Sequence, residues 1–129
     1  MPLFNRQSKA SSSNSGASAE RFAADYLRKR GLTIETCNFA IRQGEIDIVA
    51  RDGDLLVFVE VRLRNTQRYG GAVGSINASK IARIQVAAEA YLQQHYRSRP
   101  PPCRFDVIAM SPASDGQFQL EWLTNAFGS

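Results

Sequence analysis

The chain has 129 residues, 43% hydrophobic and 22% charged, the make-up of one globular domain with room for one hydrophobic core. A formal net charge of +4 leans toward an anionic partner such as nucleic acid. Two cysteines without CxxC spacing point away from a zinc knuckle or disulfide framework and toward free thiols in a reducing cytoplasm, and no apolar run is long enough to span a membrane.

Residues 1–17, MPLFNRQSKASSSNSGA, have no apolar h-region, and their Ser, Asn and Gly content predicts a disordered leader before a single domain over 18–129. Ser18 is the expected N-cap of a first helix, with Ala19, Phe22, Ala23, Tyr26 and Leu27 at helical spacing and Gly31 as the stop. Residues 32–41 predict a strand and Arg42-Gln43-Gly44 a turn. Residues 45–51 and 55–63 then form a hairpin around Asp52-Gly53, the dipeptide of a type I′ turn. Residues 65–75 are polar and Gly-rich and predict a mobile loop. Asn77 is placed to cap a second helix with a stripe of Ile81, Ile84, Ala88, Tyr91 and Leu92. Pro100-Pro101-Pro102 is an extended linker, followed by strands over 104–110 and 117–123. The order is α-β-β-β-α-β-β, an α/β domain with a mixed central sheet flanked by helices.

Within the hairpin Glu45, Asp47 and Glu60 interrupt apolar, β-branched runs. Acids are rarely placed in such strands unless a cation is held there. Alternation sets Glu45 and Asp47 on one face and Ile46 and Ile48 on the other; on the partner strand Leu56, Phe58, Glu60 and Arg62 share a face. A two-residue Asp52-Gly53 turn pairs Asp47 with Phe58 and Glu45 with Glu60. Asp47 and Glu60 become diagonal neighbours, roughly 7–8 Å apart at the backbone. Their oxygens can converge on a hard cation such as Mg²⁺ or Mn²⁺, which suits phosphodiester chemistry. The other reading is a solvated strand edge in which Glu60 pairs with Arg42 or Arg62.

The stretch Glu20 to Phe127 resembles the YraN-type uncharacterised protein family, itself similar to the restriction-endonuclease-like, PD-(D/E)XK nuclease superfamily. The resemblance rests on Glu20, GEIDIVARDG, VFVEVR, Tyr69-Gly70, Lys80, Ala88 with Tyr91-Leu92, Arg104-Phe105-Asp106-Val107 and Asn125-Ala126-Phe127. The order of acids also resembles that of archaeal Holliday junction resolvases. The resemblance implies Glu20 as the first-helix acid, Asp47 as the motif aspartate, Glu60 as the acid of the E-x-K element with Val61 its spacer, and Glu45 as a further metal-ligand candidate. Glu20 also suits a helix dipole with no further role.

The motif lysine is Arg62 in this chain, and Ala19 stands where the family has Gly. Arginine stays protonated, so Arg62 cannot act as a base, although it can stabilise transition-state charge, often worth about 10²–10³ in rate. Lys80 can supply the missing ammonium if its helix abuts the hairpin, or be a solvated first-turn lysine. Arg42, Arg64, Arg68 and Arg83 complete a basic rim suited to a phosphate backbone, or an ordinary charged surface. His95 is a polar helix end, and Phe118, Leu120 and Trp122 are core. No HExxH or GxxxxGK pattern is present.

The leading expectation is a Mg²⁺- or Mn²⁺-dependent endonuclease-like protein acting on DNA, branched DNA included, without membrane association. Junction cutting would favour a homodimer. The alternatives are a catalytically lapsed nucleic-acid-binding or repair-complex adaptor, and a protein-interaction module.

Overall fold

The computed structural model describes residues 12–63 and 76–128. Its elements are α1 (Ser12–Lys29), β1 (Thr33–Ile41), β2 (Gly44–Asp52), β3 (Leu55–Leu63), α2 (Ala78–His95), β4 (Cys103–Pro112) and β5 (Phe118–Phe127). The predicted order holds, and the five strands form one sheet in sequence order. Every neighbouring pair is antiparallel except β3 and β4, which run parallel and are joined through α2. A parallel pair needs such a long crossover. Neither helix is long and apolar enough to cross a membrane.

Helix α1 begins at Ser12, not at the expected Ser18 cap, so residues 12–17 belong to the helix; residues 1–11 of the expected leader lie outside the described residues. It ends as predicted. Leu32 N–H donates to the Leu27 carbonyl and Gly31 N–H to that of Arg28, the two bonds of a Schellman motif. Asn77 caps α2 as expected, its side chain accepting from Lys80 N–H at 2.8 Å. The Pro linker joins the sheet, because the Pro102 carbonyl accepts from Leu56 N–H at 2.9 Å.

The helices cover opposite faces. Ala19, Ala23, Ala24 and Leu27 of α1 pack on Ile48, Ala50, Val57, Val59, Ile108 and Met110, with Phe118, Leu120 and Trp122 of β5 closing that side as expected. Ile84, Ala87, Ala88 and Tyr91 of α2 pack on Ile46, Val49, Leu56, Phe58 and Phe105. The split between Leu56/Phe58 and Val57/Val59 follows the predicted alternation. That between Ile46 and Ile48 does not, since they lie under different helices. The chain rotates at Asp47.

The hairpin register also differs from expectation. Asp52 pairs with Leu55 and Arg51 with Leu56, so the central turn residues are Gly53 and Asp54. Only Gly53 has positive φ, +64°, which fits glycine at the first centre of a type II′ turn. The register therefore moves by two residues, which preserves side-chain faces. Ile48 faces Val59 at the last rung, so Asp47 and Glu60 are the first residues beyond the ladder.

Gly44 has a packing role. A Cβ there would lie 2.0 Å from the backbone oxygen of Arg83, so the start of β2 and the first half of α2 touch backbone to backbone. Gly44→Ala is expected to lower unfolding stability by about 2–3 kcal/mol, checked by urea denaturation, because rigid elements must separate to admit the methyl.

Candidate active site in a strand fork

The β2–β3 ladder stops at Ile48 and Val59. Upstream of that rung β2 stays with β1, through Phe39–Ile46, Ala40–Glu45 and Ile41–Gly44. Downstream, β3 stays with β4, through Glu60–Val107 to Leu63–Met110. The two strands thus part, and the side chains at the parting are Asp47 and Glu60. The Asp47 carboxylate takes over one backbone donor freed there, accepting from Val61 N–H at 2.8 Å. Asp47 is thereby fixed in the mouth of the fork.

Glu60 is only 3% exposed. Its Oε2 lies 3.2 Å from an Arg62 guanidinium nitrogen and 3.6 Å from Lys80 Nζ, so Lys80 at the start of α2 reaches the acids. Burial first, and the Asp47 charge second, push the Glu60 carboxyl up to about 7, against the pull of Lys80 and Arg62. Burial raises Asp47 too, opposed by the Val61 N–H, by a hydrogen bond with Glu60 and by the Lys80 charge. Glu20 enters from α1 and is hydrogen-bonded to Asp47. Burial and then the Asp47 charge raise it, while the Asn38 side chain bonds to it and lowers it. Three carboxyls are linked through Asp47, with one helix reaching the fork from each face of the sheet.

Glu45 is exposed and acts on Asp47 and Glu20 only through its charge. Arg42, in the β1–β2 turn, and Arg83, on α2, are exposed; Arg64, Arg68, Tyr69 and the 65–75 loop lie outside the described residues. Glu60 pairs with Arg62, one of its two expected alternatives. His95 stacks on Tyr91 at 4.2 Å, at the far end of α2 from Lys80.

The donor set can be tested against a metal. The acids are joined pairwise through Asp47 and are not gathered about one point; among the described residues no three His, Cys, Asp or Glu side chains form a ready ligand set. Two carboxylates suffice for Mg²⁺, which keeps several waters and takes the rest of its shell from substrate. Asp47 and Glu60, adjacent and each raised in pKa chiefly by burial, fit such an ion.

Two polar centres are missed by sequence reasoning. Asn38, opposite Asp47 in the β1–β2 register, adopts a φ of +58°, rare for a non-glycine residue, and reaches Glu20. Its signal is an asparagine inside a strand run. Glu35 is the bulged residue between Ile34 and Thr36; it accepts from the hydroxyls of Tyr91 and Tyr96 and pairs with Arg51 at 2.9 Å. That cluster ties β1 to the end of α2.

A family model described as "Uncharacterised protein family UPF0102" matches residues 19–110, which contain every acid of the fork together with Arg62 and Lys80. Relatives described as UPF0102 proteins cover nearly the whole chain. One from Pseudomonas fluorescens strain Pf-5 is 44% identical over 121 residues, 94% of this chain and 98% of the relative. One from Alcanivorax borkumensis strain SK2 is 44% identical over 129 residues, 100% and 99% respectively. One from Pseudomonas aeruginosa strain PAO1 is 46% identical over 121 residues, 92% and 96%.

Proposed function

The chain belongs to the UPF0102 family, and on that footing we propose that it is a metal-dependent, nuclease-like protein that hydrolyses phosphodiester bonds in DNA, branched DNA included. The observation that carries this reading is the fork. Asp47 and buried Glu60 are held together where two strands part, with Lys80 and Arg62 beside them. The reading agrees with the resemblance of GEID and VEVR to restriction-endonuclease-like nucleases and Holliday junction resolvases, and it carries with it action in the cytoplasm and a symmetric dimer on a two-fold junction.

Asp47 and Glu60 would hold Mg²⁺ or Mn²⁺, with Glu20 or Glu45 assisting. When bound, the ion would neutralise charge on a phosphate oxygen and lower the pKa of a coordinated water. The chain's own groups do the rest. Val61 N–H fixes the Asp47 carboxylate, and Asn38 steadies Glu20. The Lys80 ammonium stands where it can meet charge developing on the phosphate, and Arg62 keeps a permanent positive charge at the same place.

A second reading, a nucleic-acid-binding module without turnover, is favoured by one observation: the guanidinium bonded to Glu60 sits where the motif expects lysine, and it cannot accept a proton from an attacking water. Cleavage of supercoiled plasmid and of a branched duplex in Mn²⁺ separates the two. The expected result is cutting by the unsubstituted chain, loss with Asp47→Asn, and a change of less than about tenfold with Arg62→Lys, because Lys80 already supplies an ammonium. Cutting only by Arg62→Lys assigns the second reading. Absence of both metal and nucleic-acid binding overturns both and leaves a protein-interaction module.

A further inference from the structure

Beside the fork a second cleft of about 340 Å³ opens between α1 and β1. Glu20, Arg21, Asp25, Arg28, Cys37 and Asn38 line it, so Glu20 is a wall shared with the fork. Arg21 and Arg28 are seven residues apart, two helical turns or about 10.5 Å along α1, and both edge the cleft. Asp25 stands between them and pairs with Arg28 at 2.8 Å. Both partners are exposed, so that pair is weak and yields readily to an anion that takes the guanidinium in two bonds. On the opposite wall Asn38 adopts positive φ within β1 and bonds to Glu20. The volume is at the small end for a ligand site, roughly 300–1,000 Å³.

We propose that the α1–β1 cleft is the track for one unpaired nucleic-acid strand running out of the fork, with Arg21 and Arg28 as its phosphate contacts and the Glu20–Asn38 wall as the junction between track and fork. This assignment rests on the nuclease-like reading of the fork, and it names a substrate form: nucleic acid with a single-stranded arm next to the bond engaged by Asp47 and Glu60. Arg42 and Arg83 of the expected rim are not among the residues that line this cleft.

The chain carries its own reporters. Cys37 lines this cleft, whereas Cys103 lines a groove against α2 on the other face of the sheet, and both thiols are free and exposed. Maleimide labelling of the unsubstituted chain, with and without saturating fluorescein-labelled oligo-dT, reads the track directly. Bound oligonucleotide is expected to slow labelling of Cys37 about tenfold and leave Cys103 unchanged. In anisotropy titrations, the Arg21→Ala, Arg28→Ala double variant is expected to bind about ten- to thirty-fold more weakly near 0.1 M salt. Its salt slope should fall by about 1.4, at about 0.7 per lost phosphate contact on a single strand. Unchanged labelling of Cys37 while oligo-dT is bound, or unchanged affinity of a double variant that melts normally, overturns the track and leaves the fork standing. Failure of the unsubstituted chain to bind oligo-dT or a branched duplex overturns both.

Discussion

Replacing Asp106 with alanine is expected to lower the unfolding free energy by about 3–5 kcal/mol, a large part of the roughly 5–15 kcal/mol that holds a domain of this kind together. Asp106 is 0% exposed and its oxygens are fully engaged. Arg104 donates from Nε at 2.9 Å to one oxygen and from a terminal nitrogen at 3.1 Å to the other. Trp122 Nε1 donates at 2.9 Å, and so does Asn125 N–H. The last bond spans the irregularity where Phe105 pairs with Phe127 but Val107 with Leu123, so the carboxylate stitches a bulged β5 to β4. Alanine leaves four donor atoms on three residues, one of them charged, without the buried acceptor they share. Urea unfolding followed through Trp122 fluorescence measures the loss directly. Asp106→Asn keeps the shape but not the charge, and is expected to fall between alanine and the unsubstituted chain. A loss below about 1 kcal/mol for alanine would show that water reaches these donors. The fork depends on this stitch as well, because β4 is the strand that backs Glu60 through the Glu60–Val107 rung.

Asp106 also shows how far the sequence can be read. It breaks the apolar run RFDVIAM just as Glu60 breaks LLVFVEV, and both turn out to be buried acids with arginine two residues away. The pattern of acid inside a strand marks both positions, but it cannot say which is a structural knot and which opens to a cleft. That depends on what lies across the sheet: Trp122 and Asn125 from β5 close over Asp106, whereas β2 leaves β3 beside Glu60. Element order, helix stripes and the Asn77 cap are legible because they rest on local spacing. The hairpin register is not, since it turns on whether Gly53 occupies the first or second centre of the turn, a difference of one peptide that moves every rung by two residues. The early start of α1 is hidden for a related reason: Ser12 to Ala17 carry no apolar stripe, and helix there is an extension of the packed turns that follow. The rotation at Asp47, which parts Ile46 from Ile48 and aims the carboxylate into the fork, breaks the two-residue period that any sequence reading must assume.

Glu60→Gln is expected to stabilise the metal-free chain at pH 8 while removing its response to metal. The folded-state carboxyl titrates at about 7, above its ordinary 4.5. A group raised in this way supports the fold fully below its unfolded value, and that support is lost as pH climbs through the folded one. At pH 8 Glu60 is therefore held ionised against burial and against Asp47, with Lys80 and Arg62 giving only part of the compensation. Glutamine removes that charge and keeps the side-chain volume. The gain at pH 8 is roughly 2–3 kcal/mol, or about 5–10 °C in Tm, and it shrinks to nothing near pH 4.5, where the unsubstituted carboxyl is already protonated. Mg²⁺ or Mn²⁺ should act the other way round. It stabilises the unsubstituted chain at pH 8, by about 2.7 kcal/mol at a hundredfold excess over its Kd, and leaves Glu60→Gln nearly unmoved. Asp47→Asn is expected to share both directions, with a smaller gain because the amide makes a weaker acceptor for Val61 N–H. Thermal melts of the three chains at both pH values, with and without metal, decide the matter. Equal melting of Glu60→Gln and the unsubstituted chain at pH 8, together with equal shifts in metal, would mean that these carboxylates are a solvated surface pair and that the fork holds no cation. The predicted pattern would instead make the metal-free instability of the fork the counterpart of its affinity, since the charge crowding that weakens the empty fold is what a divalent ion relieves.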